Sequence, residues 1–234
     1  MKTLLLLPVL MVLSACVAMD VSNLETAEPL RKGKMRIGIN SGIGLDLTAM
    51  MESESESLIS DEYPGAVISG FQAQYGLTGD LDLGARVWAG GSSTGFKAYL
   101  KKTLSQSEEG KSFAITPGFS FVRSEAQYDI ETDDYNDWYS AAEGSVQVLL
   151  TKRWSKAAAG TISGRAGVAY YDGDSTADRV EVYQDFMVHS GISANIKLSM
   201  GPFYLIPELG GEFYTNPKGF SGVVPFYMLG IGFE

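Results

Sequence analysis

The chain has a single cysteine, Cys16, and a single histidine, His189, in 234 residues. No intrachain disulfide can form, and thiol or imidazole chemistry would have to use those two residues. Basic residues are few: 18 Lys+Arg against 28 Asp+Glu give a formal charge of −10. They form no cluster, which argues against the phosphate contacts of nucleic-acid binding. Beyond residue 20 no apolar run is long enough for a transmembrane helix, and long 3.6-residue stripes are missing. What is abundant is glycine, at 27 residues, with Val, Ile, Tyr and Phe in short alternating runs. The chain reads as all-β.

Lys2 leads a leucine-rich stretch, Leu4 to Leu13, that is too short to span a bilayer and ends at small residues. That is the layout of a secretory signal peptide. Leu13-Ser14-Ala15-Cys16 resembles the lipobox of bacterial lipoproteins. The resemblance implies a lipoprotein signal peptide over 1–15 and a covalent lipid on Cys16. Val17, rather than Asp, follows the cysteine, which among lipoproteins of this kind favours the outer membrane. Residues 16–33 then read as a lipidated N-terminus and polar tether, and 34–234 as one domain. Cleavage after Ala18, leaving a soluble N-terminus, is the alternative.

From Lys34 onward alternating segments are separated by turn signals, the pattern of antiparallel strands. The spans are Lys34–Leu47, Ala66–Leu77, Leu81–Ala89, Phe96–Leu104, Ser112–Val122, Ala142–Trp154, Thr161–Tyr171, Tyr183–Met200, Phe203–Tyr214 and Val223–Phe233. About ten strands, with roughly eight or twelve as alternatives, suit an antiparallel up-and-down transmembrane β-barrel. One face of the first strand carries Met35, Ile37, Ile39, Ile43, Leu45 and Leu47; the other carries Arg36, Gly38, Asn40, Gly42, Gly44 and Asp46. A polar face this rich in glycine suits a crowded lumen, and the aliphatic face suits lipid. With the N-terminus periplasmic, connections such as Thr48–Gly65, Arg123–Ala141 and Asp172–Val182 fall outside the cell. The shorter turns fall inside.

The strand–turn–strand unit from Tyr75 to Arg86 resembles those of small bacterial outer-membrane β-barrel proteins. The closing run Tyr227, Leu229, Ile231, Phe233 is similar to their insertion signal, although Glu234 follows the aromatic. The resemblance implies outer-membrane lipids and the barrel-insertion machinery as partners. It does not imply a function, because this architecture hosts many.

No enzyme pattern fits. Barrel lipid A deacylases use His-x-Ser, but Ser190 adjoins His189 and alternation sends the two to opposite faces. Omptin-type proteases use Asp-x-His, and Met187 occupies the aspartate position. His189 instead joins a candidate lumen network of Arg36, Asp82, Arg86, Lys97, Glu143, Arg153, Arg165, Lys197, Glu208 and Glu212. Mixed signs predict that these side chains form a salt-bridged plug that holds the barrel rigid, because buried charges need partners. Tyr128, Asp129, Glu131, Asp133, Asp134, Tyr135, Asp137 and Trp138 form a candidate partner-binding loop. No resident cofactor or metal site is expected, although acidic loops could hold calcium weakly.

The sequence reading is a monomeric, lipid-anchored outer-membrane barrel with a packed polar lumen and a structural or surface-interaction role. The alternatives are a narrow channel for small solutes, a lipid-modifying barrel enzyme, and a soluble periplasmic barrel tethered by Cys16.

Overall fold

A computed structural model of the chain describes residues 18–47, 65–128, 135–175, 180–215, 219 and 221–234. Its strands are β1 (Ala18–Met19), β2 (Met35–Asp46), β3 (Gly65–Gly76), β4 (Leu81–Gly90), β5 (Ser93–Gln106), β6 (Lys111–Tyr128), β7 (Tyr135–Arg153), β8 (Ala158–Ser175), β9 (Val180–Met200), β10 (Phe203–Thr215) and β11 (Ser221–Phe233). From β2 to β11 each strand pairs antiparallel with the next, and β11 pairs with β2. The result is a closed, ten-strand, up-and-down barrel.

One end carries the turns 77–80, 107–110, 154–157 and Gly201-Pro202. The other carries the connection 47–64 and the tips of the long hairpins. Strands β6 to β9 run for 18, 19, 18 and 21 residues. The segments Arg123–Ala141 and Asp172–Val182, expected as loops, are therefore mostly strand. Pairing continues to Tyr128–Tyr135 and Ser175–Val180, so the wall rises as a ridge on one side.

Alternation decides which face meets what. Every barrel strand turns large apolar side chains outward: Ile39, Ile192 and Leu209 are each more than 60% exposed. A continuous apolar exterior of this extent is far larger than the patches tolerated on proteins in water. Aromatics ring the short-turn end, where Tyr75 and Trp154 are exposed and the rings of Phe203 and Phe233 pair at 4.6 Å. Inside, glycines give neighbouring side chains room to lie against the wall. A Cβ on Gly84 would sit 2.1 Å from the Tyr99 ring, and one on Gly95 2.1 Å from Trp88.

The main departure from expectation is the N-terminal segment. Residues 18–28 and Leu30 are buried inside the barrel, not paid out as a tether outside it. The segment enters beside the β4–β5 turn, where the Ala18 N–H donates to Ser93 Oγ at 3.1 Å. It leaves at the opposite end, turning through Gly33 (φ +77°) into β2. Ala18 thus shares an end with the long connections. The expectation that set the N-terminus at the end opposite them fails at this residue.

The segment also alters the barrel seam. β2 pairs with β11 from Ile37–Phe233 up to Ile43–Tyr227. Above that point β2 takes β1 instead, with Met19 opposite Leu45 and Ala18 opposite Asp46. Leu45 and Leu47, expected on the outer apolar face, are buried as a result. Among the described residues Ser221–Phe226 has no strand partner on that side. Pro207 breaks the β9–β10 ladder, so the nitrogens of odd-numbered β10 residues face β9. The Gly211–Pro225 pairing then turns the Pro225 nitrogen toward the edge that β2 leaves. A proline there removes a donor that another strand could use.

Candidate functional site: a lumen built around its own N-terminal segment

The lumen wall binds the segment residue by residue. Arg86 on β4 donates to the Asp20 carboxylate at 2.8 Å, to the Ser22 hydroxyl at 2.7 Å and to the Asn23 carbonyl at 2.8 Å. Gln72 on β3 steadies the same guanidinium at 2.9 Å. Across the lumen, the Glu208 carboxylate on β10 accepts from the backbone N–H groups of Asn23 (3.0 Å) and Leu24 (2.6 Å) and from Ser193 (2.6 Å). Leu24 has φ +47°, a left-handed conformation costing a leucine about 1–2 kcal/mol. Consecutive N–H groups aimed at one carboxylate offset that cost.

Toward the short-turn end, Glu25 accepts from Tyr99 Oη at 2.6 Å and lies 3.3 Å from Lys101 and 3.7 Å from Arg36. Lys101 donates to the Thr26 and Glu28 carbonyls at 3.0 and 2.9 Å and pairs with Asp82 at 3.1 Å. Asp82 accepts from the Leu30 N–H, and Thr151 Oγ1 from the Ala27 N–H at 2.7 Å. Arg153, half-exposed at the mouth, forms a two-pronged pair with Glu28. Arg165 reaches the Val21 carbonyl at 2.9 Å.

The expected network therefore divides. Arg36, Asp82, Arg86, Arg153, Arg165 and Glu208 contact the segment directly. Lys197 joins Arg36 on Glu234 at the short-turn mouth. Lys97 is buried beside Ser22 and Asn23 in the lumen. His189, Glu143 and Glu212 form a separate wall cluster: Glu212 lies 2.6 Å from His189 Nδ1, Glu143 3.3 Å from Nε2, and Ser120 Oγ 2.5 Å from Glu143. Arg165, 2.8 Å from Glu212, links this cluster to the segment.

The residues that sequence reasoning missed are Asp20, Glu25 and Glu28, assigned to the tether. A signal existed. Seven wall cations, Arg36, Arg86, Lys97, Lys101, Arg153, Arg165 and Lys197, outnumber the wall carboxylates Asp82, Glu143, Glu208 and Glu212 even with Glu234 added, and the carboxylates of the segment lie against that surplus. Above this polar bed the lumen turns apolar, with Met19, Leu45, Ile68, Trp88, Met187 and Phe226 packed around β1.

Of the candidate partner-binding loop, Asp129, Glu131, Asp133 and Asp134 lie outside the described residues. Tyr128 and Tyr135 are strand partners at the hairpin tip, Asp137 pairs with Ala126, and Trp138 is half-buried beside Phe121 and Arg123. Among the described residues no group of His, Cys, Asp and Glu could hold a metal ion.

Two carboxylates beyond the strands have shifted acidity. Hydrogen bonds from Lys102 and Thr78 lower the Asp80 pKa in the β3–β4 turn. Burial raises that of Glu234, but the charges of Arg36 and Lys197 outweigh it and bring it down to about 2.

No family model matches the chain, and no curated protein does. Among solved structures, the translocator domain of autotransporter NalP from Neisseria meningitidis aligns over 88% of this chain and 89% of its own, with 6% identity and a TM-score of 0.47. Ail, the attachment invasion locus protein of Yersinia pestis, aligns over 86% and 98%, with 10% identity and a TM-score of 0.36. LpxR from Salmonella typhimurium aligns over 85% and 99%, with 10% identity and a TM-score of 0.35. Likeness at this level carries no functional assignment; the chain's own geometry is a closed ten-strand antiparallel barrel, filled by the residues that precede its first wall strand.

Proposed function

We propose that this chain is a bacterial outer-membrane β-barrel, non-conducting and non-enzymatic, with a structural or surface-interaction role. The observation that carries this reading is the segment 18–30 seated in the lumen by charge-matched contacts with the wall. The apolar exterior supports the membrane location. The filled lumen counts against a solute channel. Both ring nitrogens of His189 face carboxylates, which counts against a role in hydrolysis.

The long connections, with their acidic residues, face outward in this reading and offer the surface for a partner or for calcium bridging to lipid phosphates. Ala18 then lies on the same side. Cys16 is two residues away, within about 7 Å by chain length, so a lipid on it would enter the outer leaflet. Planar-bilayer recording tests the central point. The full chain is expected to give no conductance steps, and discrete steps from it would overturn the reading. Cys16→Ala is expected still to require detergent.

A further inference from the structure

On the outer face at the short-turn end, β7, β8 and β9 border a groove of about 640 Å³. Gly160 and Ala194 keep its floor low, and Leu150, Ile162 and Ile196 raise its sides. Trp154 lies at its head with its ring over Gly160, where a Cβ would come within 2.6 Å of the indole. Beside the ring stand Lys111 and Lys152, which are direct cross-strand partners.

Two lysines opposed in a ladder repel each other and cost stability unless an anion lies between them. Glu109 answers only in part. Its carboxylate is 2.9 Å from Lys111, while Lys152 reaches its backbone carbonyl at 2.5 Å. The trio keeps a net charge of +1. The surrounding end is basic as well: Arg31, Lys32, Lys34, Arg153 and Lys156 are exposed, against Asp80, Glu108 and Glu234. An apolar trough headed by an aromatic ring and an under-compensated lysine pair matches an amphiphile with an acyl chain and a negative headgroup.

We propose that this groove binds a phospholipid with an anionic headgroup, its chain between Leu150, Ile162 and Ile196 and its phosphate between Lys111 and Lys152. The proposal rests on the membrane reading above. The test uses the full chain reconstituted in vesicles, with tryptophan emission quenched by dibrominated phosphatidylglycerol or dibrominated phosphatidylcholine. Phosphatidylglycerol is expected to quench preferentially, and Trp154→Phe to abolish the difference, since Trp88 is inside the lumen and Trp138 near the other end. Lys111→Gln and Lys152→Gln should each cut the preference by about fivefold, the effect of one cation at a membrane surface. Lys102→Gln, on the same rim but away from the groove, should leave it intact. Equal quenching by the two lipids, or a preference that survives both groove substitutions, overturns the proposal. Absence of quenching by either lipid overturns the membrane reading itself.

Discussion

Arg86 of β4 and Asp20 of the luminal segment form an ion pair at 2.8 Å with both side chains almost completely buried. Removing one partner strands the other, which costs about 3–5 kcal/mol for buried pairs. Arg86→Met should therefore lower the thermal unfolding midpoint sharply. The double variant Asp20→Asn with Arg86→Met should recover part of that loss. A double variant no better than the single one would show that the pair does not couple segment to wall.

Glu208 is expected to matter for a different reason. Glu208→Ala leaves the Asn23 and Leu24 N–H groups buried without an acceptor, while Leu24 keeps its left-handed backbone. A loss of about 2 kcal/mol is expected from the orphaned donors. Hydrogen exchange at residues 20–30 should accelerate more than exchange in β6–β8.

Gly84 and Gly144 provide a matched comparison. Gly84→Ala drives a methyl into the Tyr99 ring and disturbs the bond from Tyr99 to Glu25, whereas a Cβ on Gly144 meets nothing within 4 Å. Overpacking costs typically about 1–3 kcal/mol. Denaturation should show that loss for Gly84→Ala and a change near zero for Gly144→Ala.

The Glu234 carboxylate contributes stability because its folded pKa, about 2, lies below its ordinary value near 4.5. The contribution is full above the ordinary value and disappears as pH falls from there through about 2. Glu234→Gln should lower the unfolding midpoint at pH 7 and have a much smaller effect near pH 2. An equal effect at both pH values would assign Glu234 a purely steric role.

The path of the segment predicts where the N-terminus emerges. An epitope inserted between Val17 and Ala18 and one inserted in 129–134 should be labelled from the same side of the membrane in intact cells. Labelling from opposite sides would reject the segment's direction through the lumen.

The ten wall strands were legible because lipid-type and lumen-type residues alternate in them with a period of two. Ile192-Ser193-Ala194-Asn195-Ile196 shows that pattern unaided. The upper parts of β6 and β7 were not legible, because Glu125 to Trp138 is dominated by charged and polar residues that read as a loop and mask the short alternation of Ala126, Tyr128 and Ile130. The burial of Asp20 to Glu28 was hidden for a related reason. A polar stretch reads as solvated unless its charges are compared with those facing it. Leu45 shows a third limit: its parity is outward, but β2 changes partner from β11 to β1 at that height.

The closed seam between β2 and β11 also has a consequence for assembly order. Pairing of Ile37 with Phe233 joins strands nearly two hundred positions apart in the chain, and such closures form late. The segment leads directly into β2 through the short turn at Gly33, so it is tethered to the first wall strand by local chain connectivity. A wall that closes around the segment would spare its charges from threading a finished barrel. On that order, substitutions at Asp20 or Glu25 should slow closure as well as weaken the finished molecule, which refolding kinetics of the two variants would show.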